Sequence, residues 1–305
     1  MRITLTKIIL FASLAAVGVV PCGLASAQSG RQPKENKPSA QAAPTPAPLL
    51  KRTTTRREVR RLGFGGSVTI YGAPEGSVTV EGWSRPEVEI TAEVEQSADT
   101  EENLTRLAAL NTFVLDEDLN HLRVLTVGLH DRKYAKRAAR DLPKNLPSMP
   151  WKIDFRLKVP AAVDLEINAG RGALVINGVE GALRVNAGGG GASLLTLVGG
   201  DVEATVAAGP VRVRIPSRNW RGRGMNVRVA GGDLEVELPA GFSGDVDAEV
   251  LRAGRVENGF AGLTPREQSR PTERSLQARA GQGGVPLTFT VGDGTLRISQ
   301  AGGKQ

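Results

Sequence analysis

Few residues in this sequence have the types and spacing that chemistry requires. His121 and His130 are its two histidines, and Cys22 is its one cysteine. The histidines show no HExxH spacing, and no second cysteine is present to complete a zinc site. No GxSxG motif presents a serine nucleophile, and the glycine-rich run at 188–191 lacks the lysine of a phosphate-binding loop. These patterns predict no catalytic residue, no bound metal and no cofactor.

One loop carries side chains suited to binding. Residues 216–224 read PSRNWRGRG, which places Trp220 among Arg218, Arg221 and Arg223. An indole beside guanidinium groups can stack on a sugar and hold an anionic glycan. Alternatively, Trp220 covers an end of the apolar core while the arginines face water. We take these four residues as the candidate surface-binding site.

Acidic residues alternate with apolar ones in two segments: Glu235, Glu237, Asp245, Asp247 and Glu249. Strict alternation indicates a solvated strand face rather than a pair of glycosidase acids or a calcium site. Arg212, Arg214 and Arg228 alternate in the same way. If these strands are neighbours, opposite charges face each other, and each pair contributes about 0.2–1 kcal/mol. We therefore predict that the arginines and the acids share one face.

A repeat of short strands must position these side chains. From residue 151 onward the chain is a string of short strands, and glycine introduces the units GALVIN, GALRVN, GASLLT, GDVEATV and GPVRVRI, whose five glycines are nine or ten positions apart. Single units cannot bury a core, whereas stacked units form continuous aliphatic ladders with glycine at the corners. The sequence predicts an all-β fold, a β-solenoid-like stack of short strands. A two-sheet antiparallel β-sandwich is the alternative.

The N-terminal half combines strands with one predicted helix. Residues 51–130 form a strand block in which the helix follows Asp99, the predicted N-cap, with Glu102 three residues later. The basic segment 51–61 is predicted to be an edge strand protected by its charge, with a polyanion tether as the alternative. Residues 131–150 are a basic, proline-containing insertion. The repeat region spans 151–299, includes a polar loop at 257–284, and is followed by a flexible tail at 300–305.

The first 50 residues predict export. Arg2 and Lys7 precede an apolar run at 8–20, and Ala25-Ser26-Ala27 follows, so residues 1–27 are a predicted signal peptide. A retained anchor is the alternative. Residues 28–50 are a Pro/Ala-rich linker, and the mature chain would contain no transmembrane span. We expect a periplasmic or cell-surface location, where nucleic acid is a poor partner for a mildly basic chain.

Several segments resemble the bacterial putative-adhesin family, an exported domain of unknown function with β-solenoid-like repeats. They include GSVTVEGWSRPEVEITAEVE and GGDLEVELPAGFSGDVDAEVLRAGRV. The resemblance extends over about residues 64–299. It implies a cell-envelope role and no catalytic residues. The insertion near Arg137 and the segment 257–284 depart from the family pattern.

Three functions follow as hypotheses. The first is a non-enzymatic, exported, adhesin-like interaction module whose partner is an envelope protein or an anionic glycan. The second is a periplasmic accessory in envelope-stress sensing that binds a membrane protein. The third is a polysaccharide-acting enzyme on a β-helix, which would need a groove of clustered acids or basic residues.

Overall fold

A computed structural model describes residues 48–138, 142–267 and 269–302. The predicted signal peptide and residues 28–47 of the predicted linker lie outside these ranges, as do residues 303–305 of the predicted tail. The described chain is all-β with two α-helices. The helices are α1 (Glu101–Leu110) and α2 (Arg132–Ala138), and a 3-10 turn follows at Leu146–Ser148.

Alternation of apolar and polar residues produces the strands. The N-terminal strands are β1 (Leu50–Arg61), β2 (Ser67–Tyr71), β3 (Val78–Trp83), β4 (Glu87–Ala98), β5 (Thr112–Asp118), β6 (His121–Val127) and β7 (Trp151–Pro160). The central strands are β8 (Asp164–Val179), β9 (Ala182–Leu197), β10 (Gly199–Ala208), β11 (Val211–Arg214), β12 (Arg221–Gly231) and β13 (Leu234–Leu238). The C-terminal strands are β14 (Gly244–Ala253), β15 (Val256–Asn258), β16 (Leu263–Pro265), β17 (Ser275–Ala280), β18 (Pro286–Asp293) and β19 (Leu296–Gln300).

The strands pair into two ladders. Ladder A runs β5, β6, β2, β8, β9, β10, β12, β18, β14, β17, β16. Ladder B runs β1, β4, β7, β3, β8, β9, β11, β13, β19, β15. The long strands β8 and β9 contribute their first halves to ladder A and their second halves to ladder B. Pairing is parallel from β6 to β14 and from β7 to β15, and antiparallel only at the ends.

One strand from each ladder forms a rung, and successive rungs keep a nearly constant register. Leu165 pairs with Leu183, an offset of 18 residues, and Leu174 pairs with Ser193, an offset of 19. The next rung, β10 and β11, has an offset of 19 residues on ladder A, where Val202 pairs with Leu183, and of 18 on ladder B, where Val211 pairs with Ser193. The period of two glycine-led units is therefore the period of the structure.

Rung order departs from chain order at both ends. The β2/β3 rung lies between β6/β7 and β8, although β6 and β7 come later in the chain. At the other end the last rung, β18/β19, lies between β12/β13 and β14/β15. The C-terminal segment is thus an interior rung, flanked on both sides by earlier parts of the chain.

Inward side chains from both ladders form one core. Val202, Ala204 and Val206 of β10 are fully buried, as are Leu287 and Phe289 of β18. The core continues through β7 into the N-terminal strands. Consequently the predicted division into a block at 51–130 and a repeat region at 151–299 does not separate two cores.

Glycine fills one corner of the rungs because backbone approaches backbone there. A Cβ on Gly232 would lie 2.2 Å from the carbonyl oxygen of Gly209, and Gly232 has φ +134°. The same contact recurs from rung to rung along one column: Gly76, Gly172, Gly191, Gly209, Gly232, Gly294 and Gly254. A side chain at such a position would push two rungs apart, so the glycine excess has a structural cause.

Three expectations need correction. The N-cap of α1 is Thr100, whose side chain accepts a hydrogen bond from the Asn103 amide, whereas Asp99 accepts from the Asn103 side chain. A second helix, α2, forms in the basic insertion, because Asp131 accepts hydrogen bonds from the first backbone amides of that turn. The segment 257–284 is not a loop throughout, since β16 and β17 pair antiparallel within it and β17 also pairs with β14.

The edge-strand prediction for residues 51–61 is confirmed. Within the described chain, β1 pairs with β4 alone. Its cations meet acids of the neighbouring strand, with Lys51 2.9 Å from Glu95 and Arg57 2.7 Å from Glu89. Charge on an exposed edge opposes pairing with a second chain.

Candidate functional site

The loop at 216–224 places its tryptophan inside and its arginines outside. Trp220 is 8% exposed, and its indole donates a hydrogen bond to the Gly200 carbonyl oxygen at 3.0 Å. The loop increases the sequence offset between paired residues of β10 and β12, where Val202 pairs with Met225. The extra residues leave the regular rung, and the indole fixes them against the neighbouring rung.

The three arginines of this loop remain on the surface. Arg221 lies 2.7 Å from Glu180 and Arg223 lies 2.7 Å from Asp201, while Arg218 is exposed. Exposed ion pairs are each worth about 0–1 kcal/mol, so a polyanion can compete for these guanidinium groups. Stacking of a sugar on Trp220 would require the loop to open. Anion binding at these residues stays a prediction.

The predicted charge ladder is confirmed on ladder B. Arg212 lies 2.7 Å from Glu235, and Arg214 lies 2.6 Å from Glu237. Glu237 raises the pKa of the Arg214 guanidinium through its hydrogen bond and its charge. The column continues through Arg297, so that charges of alternating sign follow one another across successive rungs.

The same prediction is wrong for the strands that follow. The strands that carry Arg228 and the acids of β14 are not neighbours, because β18 lies between β12 and β14, and Arg228 approaches Glu203 at 3.7 Å. Asp245 and Asp247 form ion pairs with Arg279 at 3.1 Å and Arg266 at 2.6 Å. A hydrogen bond from the Gly284 amide and the contact with Arg279 lower the pKa of Asp245.

The two histidines have separate environments. His121 contacts Ser67 Oγ at 2.6 Å and Thr69 Oγ1 at 3.2 Å. The His130 ring lies 5.5 Å from the Trp151 ring, and burial lowers the pKa of His130. Among residues 48–138, 142–267 and 269–302, no group of three His, Cys, Asp or Glu side chains is placed to hold a metal.

A shallow groove lined by both polar and apolar residues lies on ladder A where the strands turn toward the corner. We call it the ladder A groove; its volume is about 550 Å³, and its polar and aromatic lining consists of Tyr71, Thr126, His130, Asn168, Asn186 and Thr205. Asn186 Nδ2 donates to Asn168 Oδ1 at 3.1 Å. Asn168, Asn186 and Thr205 hold equivalent positions on β8, β9 and β10.

Sequence reasoning did not select the ladder A groove. A signal was present, because Asn168 and Asn186 are 18 residues apart, which is the rung period. The same period does not identify Tyr71. Tyr71 of β2 pairs with Asn168 of β8, and strands β3 to β7 lie between these two strands in the chain.

The part of the chain that the structure describes contains no helix with the length and apolar character needed to cross a membrane.

Comparisons with known proteins returned distant structural likenesses. No protein-family model matches this chain, and no curated protein matches it. Nine chains of solved structures match. One, described as a putative cell adhesion protein from Clostridium sporogenes, has 13% identity over 81% of this chain and 100% of its own, with TM-score 0.41.

Two further likenesses are weaker. A putative adhesin from Bacteroides fragilis has 10% identity over 81% of this chain and 97% of its own, with TM-score 0.29. A putative lipid binding protein from Parabacteroides distasonis has 10% identity over 80% of this chain and 96% of its own, with TM-score 0.26. All three TM-scores are below 0.5, so we draw no conclusion about this chain from them.

Proposed function

We propose that this chain is a non-enzymatic, exported cell-envelope protein, an adhesin-like interaction module built on a β-solenoid. Parallel pairing at offsets of 18 and 19 residues supports the solenoid, because a sandwich of tight hairpins would pair its neighbouring strands antiparallel. The glycine column at the corner and the shared aliphatic core support it further.

The observation that carries the proposal is the alignment of outward side chains across rungs. Strand alternation points every second residue outward, and constant register stacks equivalent residues into columns. One such column on ladder B runs Arg212, Glu235, Arg297 and Glu257. A long, regular polar surface suits an extended partner such as a glycan or a protein segment.

The loop at 216–224 is the proposed contact on this surface. Trp220 anchors the loop to Gly200, and this contact presents Arg218, Arg221 and Arg223 to solvent. Guanidinium groups match carboxylate and phosphate geometry, so the proposed partner at this loop is an anionic glycan or an acidic face of an envelope protein.

Binding to purified envelope polysaccharide tests this contact. Replacing Arg218, Arg221 and Arg223 by alanine should weaken retention of the protein on immobilised polysaccharide. The control replaces Arg156, Lys158 and Arg184, which are exposed cations outside this loop, and it changes the net charge equally. Equal retention of the triple variant and the wild-type protein would remove the loop from the proposal.

A second function, a periplasmic accessory that binds a membrane protein, is favoured by a separate observation. Phe64 and Leu119 are fully exposed on two adjacent loops, which are joined by a 3.0 Å hydrogen bond from Asn120 to the Phe64 carbonyl. Large exposed apolar side chains suit a protein partner. Protease added to intact cells discriminates the two: a surface module should be cleaved, and a periplasmic accessory should be protected.

A further inference from the structure

The ladder A groove combines three features that together indicate a ligand. Its floor is made of small residues, because Gly72, Gly170 and Gly188 follow the outward columns of β2, β8 and β9. A Cβ on Gly170 would lie 2.3 Å from the Ala73 carbonyl oxygen, so the backbone is close-packed there and the floor stays flat. Flat β surfaces of this kind leave room for an extended chain.

The first feature is a column of hydrogen-bonding groups. Asn168, Asn186 and Thr205 occupy three adjacent parallel strands, which are about 4.8 Å apart. Asn168 Nδ2 donates a hydrogen bond to Glu166 Oε1, and Asn186 Nδ2 donates one to Asn168 Oδ1. Asn186 and Thr205 are both exposed. The side-chain carbonyl of Asn186 can therefore accept a hydrogen bond from a ligand, and the Thr205 hydroxyl can donate one.

An unsatisfied hydroxyl belongs to the same groove. Thr126 Oγ1 is buried and has no hydrogen-bond partner within the described residues, although Thr126 lines the groove. Because this oxygen is buried beneath the groove surface, it offers no direct contact to a ligand that lies on that surface.

The second feature is an exposed aromatic ring. Tyr71 is 43% exposed at the end of β2 and stands in the same column as Asn168. Tyrosine offers an apolar ring face and a polar tip, a combination suited to the mixed surface of a sugar. His130 lines the groove as well, and burial lowers its pKa, so its neutral form dominates at neutral pH.

The third feature is positive charge on the segment that follows His130, a residue of the groove lining. Helix α2 begins two residues after His130 and carries four exposed cations: Arg132, Lys133, Lys136 and Arg137. None of the four forms an ion pair in the part of the chain that the structure describes. The acid that precedes them, Asp131, is engaged with the backbone amides of Lys133 and Tyr134 at 2.7 and 3.2 Å.

We propose that the ladder A groove binds an acidic polysaccharide. Sugar rings lie over Tyr71 and along Asn168, Asn186 and Thr205, and carboxylate groups of the glycan contact the cations of α2. The inference rests on the proposed interaction function and names a ligand class and a place for it. It is separate from the loop at 216–224.

Titration with a polygalacturonate fragment tests the proposal, with a dextran fragment of equal length as the neutral probe. Isothermal calorimetry should detect binding of polygalacturonate and weaker binding of dextran. Tyr71→Ala and Thr205→Val should each weaken polygalacturonate binding about tenfold, which corresponds to ~1.4 kcal/mol. The double variant Lys133→Glu/Lys136→Glu should abolish it.

Matched variants separate the groove from general charge effects. Asn186→Ala removes a groove amide, whereas Asn177→Ala removes an exposed amide of ladder B. Arg156→Glu/Lys158→Glu alters the net charge as much as the α2 double variant does, but on ladder B. Selective losses in the groove variants, all with native circular dichroism, support the proposal.

Two results would overturn it. Equal losses in the groove and ladder B variants would mean that the protein attracts polyanions through overall charge. If polygalacturonate does not bind to the wild-type protein, the proposal that the ladder A groove binds an acidic polysaccharide is wrong. In either case, continued retention of the wild-type protein on envelope polysaccharide would leave the proposed interaction function standing.

Discussion

At the scale of single residues, the glycines of the corner column decide whether rungs can stack. Each lies against the backbone of the preceding rung, and several have a positive φ that side chains oppose. The scarcity of aromatic residues has a related cause, since a core of Val, Leu, Ile and Ala fits closely stacked rungs.

Gly232→Ala should destabilise the protein by more than about 2 kcal/mol, because the new Cβ combines backbone strain with a 2.2 Å contact to Gly209. Gly231→Ala is the matched control, since the nearest atom to its Cβ would be 4.0 Å away. Urea unfolding measures both variants. Equal unfolding midpoints would contradict the account of the corner.

Asp154 should make folding stability depend on pH. Burial raises the pKa of Asp154, but hydrogen bonds from Lys152 and from the hydroxyl and amide of Ser77 outweigh burial and lower the net pKa below 3.8. A lowered folded-state pKa stabilises the protein above pH 3.8, and this contribution is lost as pH falls through the folded-state pKa.

Asp154→Asn should therefore lower the free energy of unfolding by about 1–3 kcal/mol at pH 7. The difference from wild type should shrink below pH 3.8, where the carboxyl of the unfolded chain becomes protonated while that of the folded protein still resists protonation. Urea titrations at pH 7 and pH 3 provide the measurement. A difference that is unchanged at pH 3 would show that the carboxylate charge is not the cause.

At the scale of elements, the inserted β18/β19 rung holds the C-terminal part of the stack together. Leu287, Phe289, Val291, Leu296 and Ile298 of this rung are completely buried. Within the described residues, the only strand that β15 pairs with is β19, so its strand pairing depends on the inserted rung.

A chain that ends at Gly284 should lose protection from hydrogen exchange in both β12/β13 and β14/β15, because both rungs lose a neighbour. A chain that ends at Gln300 keeps the inserted rung and serves as the control. Native-like protection of β15 in the shorter chain would show that β14/β15 does not need the last rung.

Elements were predictable where the evidence was local, and rung order was not. Alternation predicted the strands, and glycine spacing predicted the period. The pairing of Arg212 with Glu235 followed because β11 and β13 lie one rung apart in chain order. Arg228 does not meet the acids of β14, because β18, more than fifty residues later in the chain than β12, occupies the position beside β12. A local sequence pattern does not indicate which distant strand will pair beside β12.

The candidate sites divide in the same way. The arginines at 218, 221 and 223 were visible as a cluster because they are adjacent in sequence. The ladder A groove combines Tyr71, Asn168 and Thr205, which only the stacking of rungs brings together. Columns formed by register require the strand pairing as well as the sequence.

At the scale of the whole described chain, stacking converts short strands into continuous outward faces. Ladder B presents alternating charges, and ladder A presents a groove of amides, hydroxyls and one exposed ring. Both faces depend on parallel register, so the proposed interaction function depends on it as well.

Disulfide trapping between neighbouring rungs measures that register most directly. In a Cys22→Ser background, the pair Asn186→Cys/Thr205→Cys lies on directly paired positions of β9 and β10. Paired positions are about 5 Å apart, within disulfide range, whereas Asn186→Cys/Arg228→Cys spans two rungs. The account predicts rapid oxidation of the first pair and none of the second. Failure of the first pair to oxidise, or equal oxidation of both, would contradict the parallel stack.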